Sequence, residues 1–354
     1  MMNVSLAQAA LAIKTIGSTN TVILRGEPGI GKSSILKMLA TSMPDYRTSY
    51  IDCANLDLGD VAMPVIDRDR MVTNYAPNAR FGVGTGITAP VIVMLDELGK
   101  TSKSVLNMLL PVILEHRIGD VPLPTGSIVF ATTNLDTDGV GDNIPAHAYN
   151  RMTEMVVRKA NPKEMMQWGT DNGWSAEVLA FIRQQPDVLD SYVDLKAGDK
   201  NPYIFNPLTG NTRSFISPRS LEKASNIINA RSVLGEAMLP ALAGTIGEAG
   251  ARQMEALVSL ADQLPSYEGI VANPDTAKIP DSVGALFILA FMLAGRVSTG
   301  DCDEVMTYIK RMSGESFEAA ALAVTSIASN ANKAGWAARN RKFTELCAAY
   351  GKYF

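Results

Sequence analysis

Gly26, Glu27, Pro28, Gly29, Ile30, Gly31, Lys32 and Ser33, with Ser34 behind them, fit the spacing GxxxxGK[ST]. Each residue type has a task there. Glycines let the backbone wrap closely around phosphates, and successive N–H groups and the next helix's N-terminus attract negative charge. Lys32 can then reach the β- and γ-phosphates, and the Ser33 hydroxyl can ligate Mg²⁺. A second set closes the apolar run Val91 to Leu95, where Asp96 and Glu97 follow each other. Asp96 suits the Mg²⁺ shell, and Glu97 is placed to orient and deprotonate an attacking water, the main task left once phosphate charge is neutralised. Carboxylates often end strands, so the pair gains its meaning from the loop before it. A third set is Asn134 after Ile128 to Thr133, able to hold that water or a phosphate oxygen, although an Asx-turn residue would look the same. Arg151, taken bare, reads as a solvated arginine.

These groups need a scaffold that brings three chain segments to one edge. Thr21 to Leu24 reads as a strand before the glycines, and Ser34 to Met43 has a helical pattern after them. Tyr50 to Cys53, Val91 to Leu95, Ile128 to Thr132 and Met155 to Val157 are four further short strands with helical patterns between several of them. Alternation of this kind predicts a parallel sheet of five strands with flanking helices, whose ligands bind beyond the carboxyl ends of the strands. Val4 to Ile16 reads as a leading helix. Pro111, inside an otherwise helical stretch, predicts a kink or restart.

Beyond Asn161 the β-branched clusters disappear and helical segments take over, among them 162–168, 176–185, 220–234 and 316–338. The expected division is an α/β nucleotide-binding core over 1–158, carrying an inserted loop at 57–86, and an all-α region over 159–354. The stretches 57–86 and 195–217 read as long loops or inserted hairpins, which in compact enzymes are often functional. Trp168, Trp174 and Trp336 read as anchors of the helical core.

Composition narrows the function classes. The 354 residues, 47% hydrophobic and 19% charged, describe an ordinary globular chain. Lys and Arg number 32 against 36 Asp and Glu, a formal charge of −4, which gives no overall attraction for DNA or an anionic membrane. Three separated cysteines and two histidines offer no zinc spacing. The longest apolar run, Ala285 to Ala294, is about half the roughly 20 residues a membrane span needs and reads as a buried helix. No secretory pattern opens the chain, and the odd cysteine count favours a reducing cytoplasm.

The order of the motifs resembles a family. Gly26 to Ser33, the strand ending in Asp96-Glu97, Ala131-Thr-Thr-Asn134, Asn150-Arg151 and Ser217-Pro218-Arg219 together resemble the AAA+ ATPases, and within them the MoxR-like branch with its CobS-like and phage-borne relatives. The resemblance implies a P-loop NTPase core followed by an α-helical lid, and Mg²⁺-dependent hydrolysis of ATP in the bacterial cytoplasm. It implies that Asn134 acts as sensor 1, Arg151 as a finger inserted into a neighbour's ATP site, and Arg219 as sensor 2. It further implies a homo-oligomeric ring, a hexamer, acting like a chaperone on a protein substrate or adaptor, often one with a von Willebrand factor A domain. The segment 57–86, with Met63, Arg68, Arg70, Tyr75, Arg80 and Phe81, is its candidate pore loop.

The competing reading is a nucleic-acid motor or loader, which AAA+ cores also support. Against it stand the negative charge, the alternation of Asp67 and Asp69 with Arg68 and Arg70, and the lack of any recognisable nucleic-acid module. A switch that binds nucleotide and barely splits it conflicts with Glu97 and Asn134.

Overall fold

The structure, a computed structural model, describes residues 2–135, 144–196, 201–207 and 214–351, with the side chain of residue 147 left out. The chain divides into two compact units, Met1–Lys159 and Ala160–Phe354.

The first unit is built on a six-stranded parallel sheet in the order Asn3–Val4, Thr153–Val157, Val22–Arg25, Ile128–Thr133, Val91–Asp96 and Arg47–Asp52. The expected five strands are all in it. The sixth, Asn3–Val4, is two residues long and pairs with Val156 and Val157, too short to leave a pattern of its own. The leading helix therefore starts later, at Leu6, after a capping box made by Ser5 and Gln8.

Strand period two sorts the side chains of this sheet onto two faces. Val91, Val93 and Leu95 enter a core with Leu106, Leu109 and Val112 of the helix Lys103–Glu115. Ile92 and Met94 enter another with Ile35 and Leu39 of the helix Ser34–Ser42, as do Ile128 and Phe130 from the next strand. By the same alternation Asp96, Thr132 and Tyr50 lie on the face that carries the Ser34–Ser42 helix. Sequence alternation thus decides which polar groups can meet the glycine loop.

Pro111 does not restart its helix, which runs unbroken from Lys103 to Glu115. An internal proline costs about 3 kcal/mol. Val105, Leu106, Leu109, Val112 and Ile113 are all buried from this helix, at roughly 1.5–3 kcal/mol each, and that burial outweighs the lost hydrogen bond.

The stretch 57–86 contains an antiparallel hairpin, Ala62–Asp67 with Val72–Pro77. Its base is tied to a second, smaller hairpin, Arg117–Ile118 with Val121–Pro122. The Tyr75 N–H donates to Asp120 Oδ2 at 2.6 Å, and the Asp120 N–H to the Tyr75 carbonyl at 3.3 Å. Gly119, at φ 55°, is required at this junction: a Cβ there would lie 2.4 Å from the Tyr75 carbonyl oxygen.

Among its described residues the second unit has helices and no strand. Its helices start at polar caps, such as Asn161 with Glu164 before Pro162–Asp171 and Ser217 with Ser220 before Pro218–Asn229. The apolar run expected to be a buried helix is Val283–Arg296, whose last carbonyls, at Ala294 and Gly295, accept from Lys333 Nζ at 2.7 and 2.6 Å. Trp174 is buried in the core of this unit, and Trp168 and Trp336 pack against it. The helical stretch expected over 316–338 breaks after Ser329 and resumes as the single turn Ala334–Ala337. Of the stretch 195–217, residues 197–200 and 208–213 lie outside the described residues. Among the described residues no helix is long and apolar enough to cross a membrane.

Candidate functional site

The loop from Gly26 to Ser33 joins the strand Val22–Arg25 to the helix Ser34–Ser42. Gly31 adopts φ +99°, where a side chain would be strained whatever space it had. At the head of the helix, Ser33 makes no side-chain cap; its hydroxyl donates to Asp96 Oδ2 at 3.1 Å. The positive end of a nine-residue helix therefore faces the loop without a capping oxygen from its own N-cap. Ser34, one residue on, returns its hydroxyl to the Gly31 carbonyl at 2.6 Å and steadies the turn.

Lys32 is buried, 7% exposed, with its ammonium inside the loop. It donates to the carbonyls of Gly26 at 2.6 Å and Glu27 at 2.9 Å, and to Asn134 Oδ1 at 3.1 Å. Asn134 follows the strand Ile128–Thr133, so this bond joins the first and third sequence motifs directly.

Asp96 joins the first to the second. Its carboxylate is also 7% exposed and accepts from three hydroxyls: Ser33 and Tyr50 at Oδ2, the latter at 2.8 Å, and Thr132 at Oδ1. Burial, and then the hydrogen bond to Asp96, push the Tyr50 phenol well above its ordinary pKa, so it stays a donor. The nearby Cys53 thiol is held protonated by burial first and by the Asp96 charge second.

Glu97 differs from its neighbour in backbone conformation and in exposure. Its backbone is left-handed, φ 53° and ψ 40°, a conformation that costs a non-glycine residue roughly 1–3 kcal/mol. The turn carries its side chain out of the strand's alternation. Its N–H donates to Thr132 Oγ1 at 3.2 Å, and its carboxylate accepts from Lys100 Nζ at 2.7 Å in a pair that is about one-third exposed on each side. One threonine hydroxyl therefore touches both acidic positions.

The structure thus brings Lys32, Ser33, Asp96 and Asn134 into one hydrogen-bonded cluster at the carboxyl ends of three adjacent strands, with Glu97 beside it. Arg151 is not in that cluster. Its side chain is exposed and makes no ion pair among the described residues, and it lies two residues before Thr153, whose strand partner Val22 is at the far end from Gly26. Arg219 belongs to the second unit, exposed in the first turn of the helix Pro218–Asn229. Tyr50 and Thr132 are members that motif spacing did not single out. Thr132 sat inside the Ala131-Thr-Thr-Asn134 run, and the signal for Tyr50 was a hydroxyl-bearing side chain two residues before Asp52, on the face shared with Asp96.

The donor set fits a hard cation. Among the described residues no three His, Cys, Asp or Glu side chains gather into an all-protein metal site. One buried carboxylate beside a serine hydroxyl is instead the arrangement Mg²⁺ uses when it shares its shell with phosphate oxygens and water. Phe81, one of the pore-loop candidates, is fully buried in the core with Val91 and Leu98, and Arg80 pairs with Asp60 at 3.2 Å. Phe81 is therefore a packing residue, which leaves the hairpin itself as the exposed part of that segment.

No curated protein matches this sequence. Among solved structures, similarity in fold extends to an ATPase candidate of Cytophaga hutchinsonii, 14% identical over 82% of this chain and 74% of that one, with a TM-score of 0.34. It extends also to the Thermotoga maritima RuvB Holliday junction branch migration motor, 18% identical over 76% and 72% of the two chains, TM-score 0.36. A point mutant of the same RuvB is 16% identical over 76% and 73%, TM-score 0.37. The segment that builds the clustered edge of the sheet, residues 22–158, matches the model of the ATPase family associated with various cellular activities (AAA).

Proposed function

We propose that this chain is a Mg²⁺-dependent, ATP-hydrolysing ring ATPase of MoxR-like type that remodels or activates a partner protein. The observation that carries the reading is the joining of three separate motifs by two hydrogen bonds, Lys32 to Asn134 and Ser33 to Asp96, at 3.1 Å each. In this reading Lys32 exchanges its carbonyl acceptors for β- and γ-phosphate oxygens, and the loop amides bind the same groups. Ser33 and Asp96 would hold Mg²⁺, which supplies charge neutralisation on the phosphates. Glu97 orients the attacking water and accepts its proton, and Asn134 holds the water or a γ-phosphate oxygen.

Arg151 serves a neighbouring subunit in this reading. What supports it is an exposed guanidinium offered at the opening end of its strand, away from its own loop. Arg219 acts as sensor 2 from the helical unit, which serves as the lid, and ring formation is then required for activity. Phosphate release from ATP, measured against protein concentration, tests this. The rate per subunit should rise with concentration and vanish in Lys32→Ala together with ATP binding. A wild-type rate independent of concentration would rule out the ring, and ATP binding retained in Lys32→Ala would rule out the site.

A further inference from the structure

Three hydroxyls converge on Asp96, and the reaction scheme uses one of them. Ser33 has its role at the metal, and Thr132, 1% exposed, belongs to the sheet interior. Tyr50 is the third. It comes from the edge strand Arg47–Asp52, where it pairs with Met94, two residues before Asp96 on the same face. From there its phenol reaches along the strand to Asp96 Oδ2, the same oxygen that accepts from Ser33.

We propose that Tyr50 is a positioning residue for the divalent metal, acting through Asp96. A buried carboxylate turns about its own axis unless both oxygens are held. Thr132 holds Oδ1 from inside the sheet, and Tyr50 holds Oδ2 from the outer side, so the carboxylate plane is fixed before a cation arrives. A hydroxyl donor also answers part of the charge on Oδ2 without competing as a cation would. Partners of this kind, one step removed from a metal, typically change metal affinity or activity ten- to a hundredfold when lost. Tyr50 is 54% exposed, so removing its hydroxyl opens no cavity and spares the core.

The inference rests on reading the cluster as a Mg²⁺-nucleotide site, and the test separates the two. The full chain, loaded with a non-hydrolysable ATP analogue, is titrated with Mn²⁺ and followed by electron paramagnetic resonance in three forms: wild type, Tyr50→Phe and Asp96→Asn. Analogue affinity in EDTA is measured alongside. Tyr50→Phe should bind Mn²⁺ roughly tenfold more weakly, with metal-free analogue affinity within about twofold of wild type. In turnover, the half-saturating Mg²⁺ concentration should rise by a similar factor while kcat at saturating Mg²⁺ is kept. Wild-type Mn²⁺ affinity in Tyr50→Phe, with the site lost in Asp96→Asn, would overturn the role of Tyr50 and leave the site reading standing. Equal losses with and without metal would reduce Tyr50 to a structural residue. An Asp96→Asn form that binds Mn²⁺ like wild type would overturn both.

Discussion

Two regions of the first unit break the ordinary rule of burial in opposite directions. At the clustered sheet edge, charged Lys32 and Asp96 are buried and answered by named partners. On the hairpin Ala62–Pro77, apolar side chains are out in solvent, with Ile66 70% and Met71 86% exposed. Buried charge and exposed apolar surface are the two observations that most reliably mark function, since an exposed leucine alone means little. The edge is organised inward: each polar group there is fixed by another, which suits chemistry that needs groups held in place before the substrate arrives. The hairpin is organised outward, fixed at its base by the Tyr75 and Asp120 bonds and bare along its length. On the proposed reading, nucleotide hydrolysis belongs to the edge and the handling of a partner to the hairpin.

The sharpest way to break this contrast is at Arg151, which on the proposed reading completes a neighbour's site. Arg151→Ala should lower kcat roughly a thousandfold, the usual worth of an arginine finger. Mixing it with Lys32→Ala subunits should restore part of the activity, because hybrid interfaces unite an intact loop with an intact arginine. No recovery after verified subunit exchange would place Arg151 outside the site. A smaller loss, roughly a hundredfold in kcat, is expected for Asn134→Ala, which removes a single positioned hydrogen-bonding group; steady-state phosphate release measures it.

The hairpin should respond in the opposite way. Ile66→Ser combined with Met71→Ser should leave unfolding free energy within about 0.5 kcal/mol of wild type, because neither side chain is buried. Basal hydrolysis should stay within about twofold, while stimulation by a protein partner is lost. Phe81→Ala, a few residues away and fully buried, should cost about 3–5 kcal/mol in the same denaturant titration. The least change of all is expected from DNA. A motor neutralises phosphates along its channel and loses affinity with salt by about 0.9 in log–log slope per contact. Asp67 and Asp69 offset Arg68 and Arg70 at the hairpin tip, so neither single- nor double-stranded DNA should stimulate hydrolysis near physiological salt. Strong, salt-sensitive stimulation would promote the motor reading.

Legibility in the sequence followed how local each feature is. The class of fold, a parallel sheet with flanking helices and then a helical region, could be read because short β-branched runs alternate with helical periods. The glycine loop could be read because its task is done by eight consecutive residues. Tyr50 could not, since its place at Asp96 depends on the pairing of two strands more than forty positions apart. Asn3–Val4 is a strand only because Val156 and Val157 offer it an edge. Pro111 shows local chemistry being overruled, with the burial of one helix face exceeding the cost of a missing N–H. Phe81 shows the converse hazard: an aromatic residue in a loop-like stretch can be a core residue whose partners lie far along the chain.

Lys32 and Glu97 have different tasks at the proposed site, and one paired measurement tests them: ATP affinity and phosphate release determined on the same preparations of Lys32→Ala and Glu97→Gln. Lys32→Ala should lose binding, whereas Glu97→Gln should bind ATP as wild type does and release phosphate roughly a hundredfold more slowly, as expected when a general base is removed. Near-normal turnover in Glu97→Gln would remove Glu97 from the role of general base.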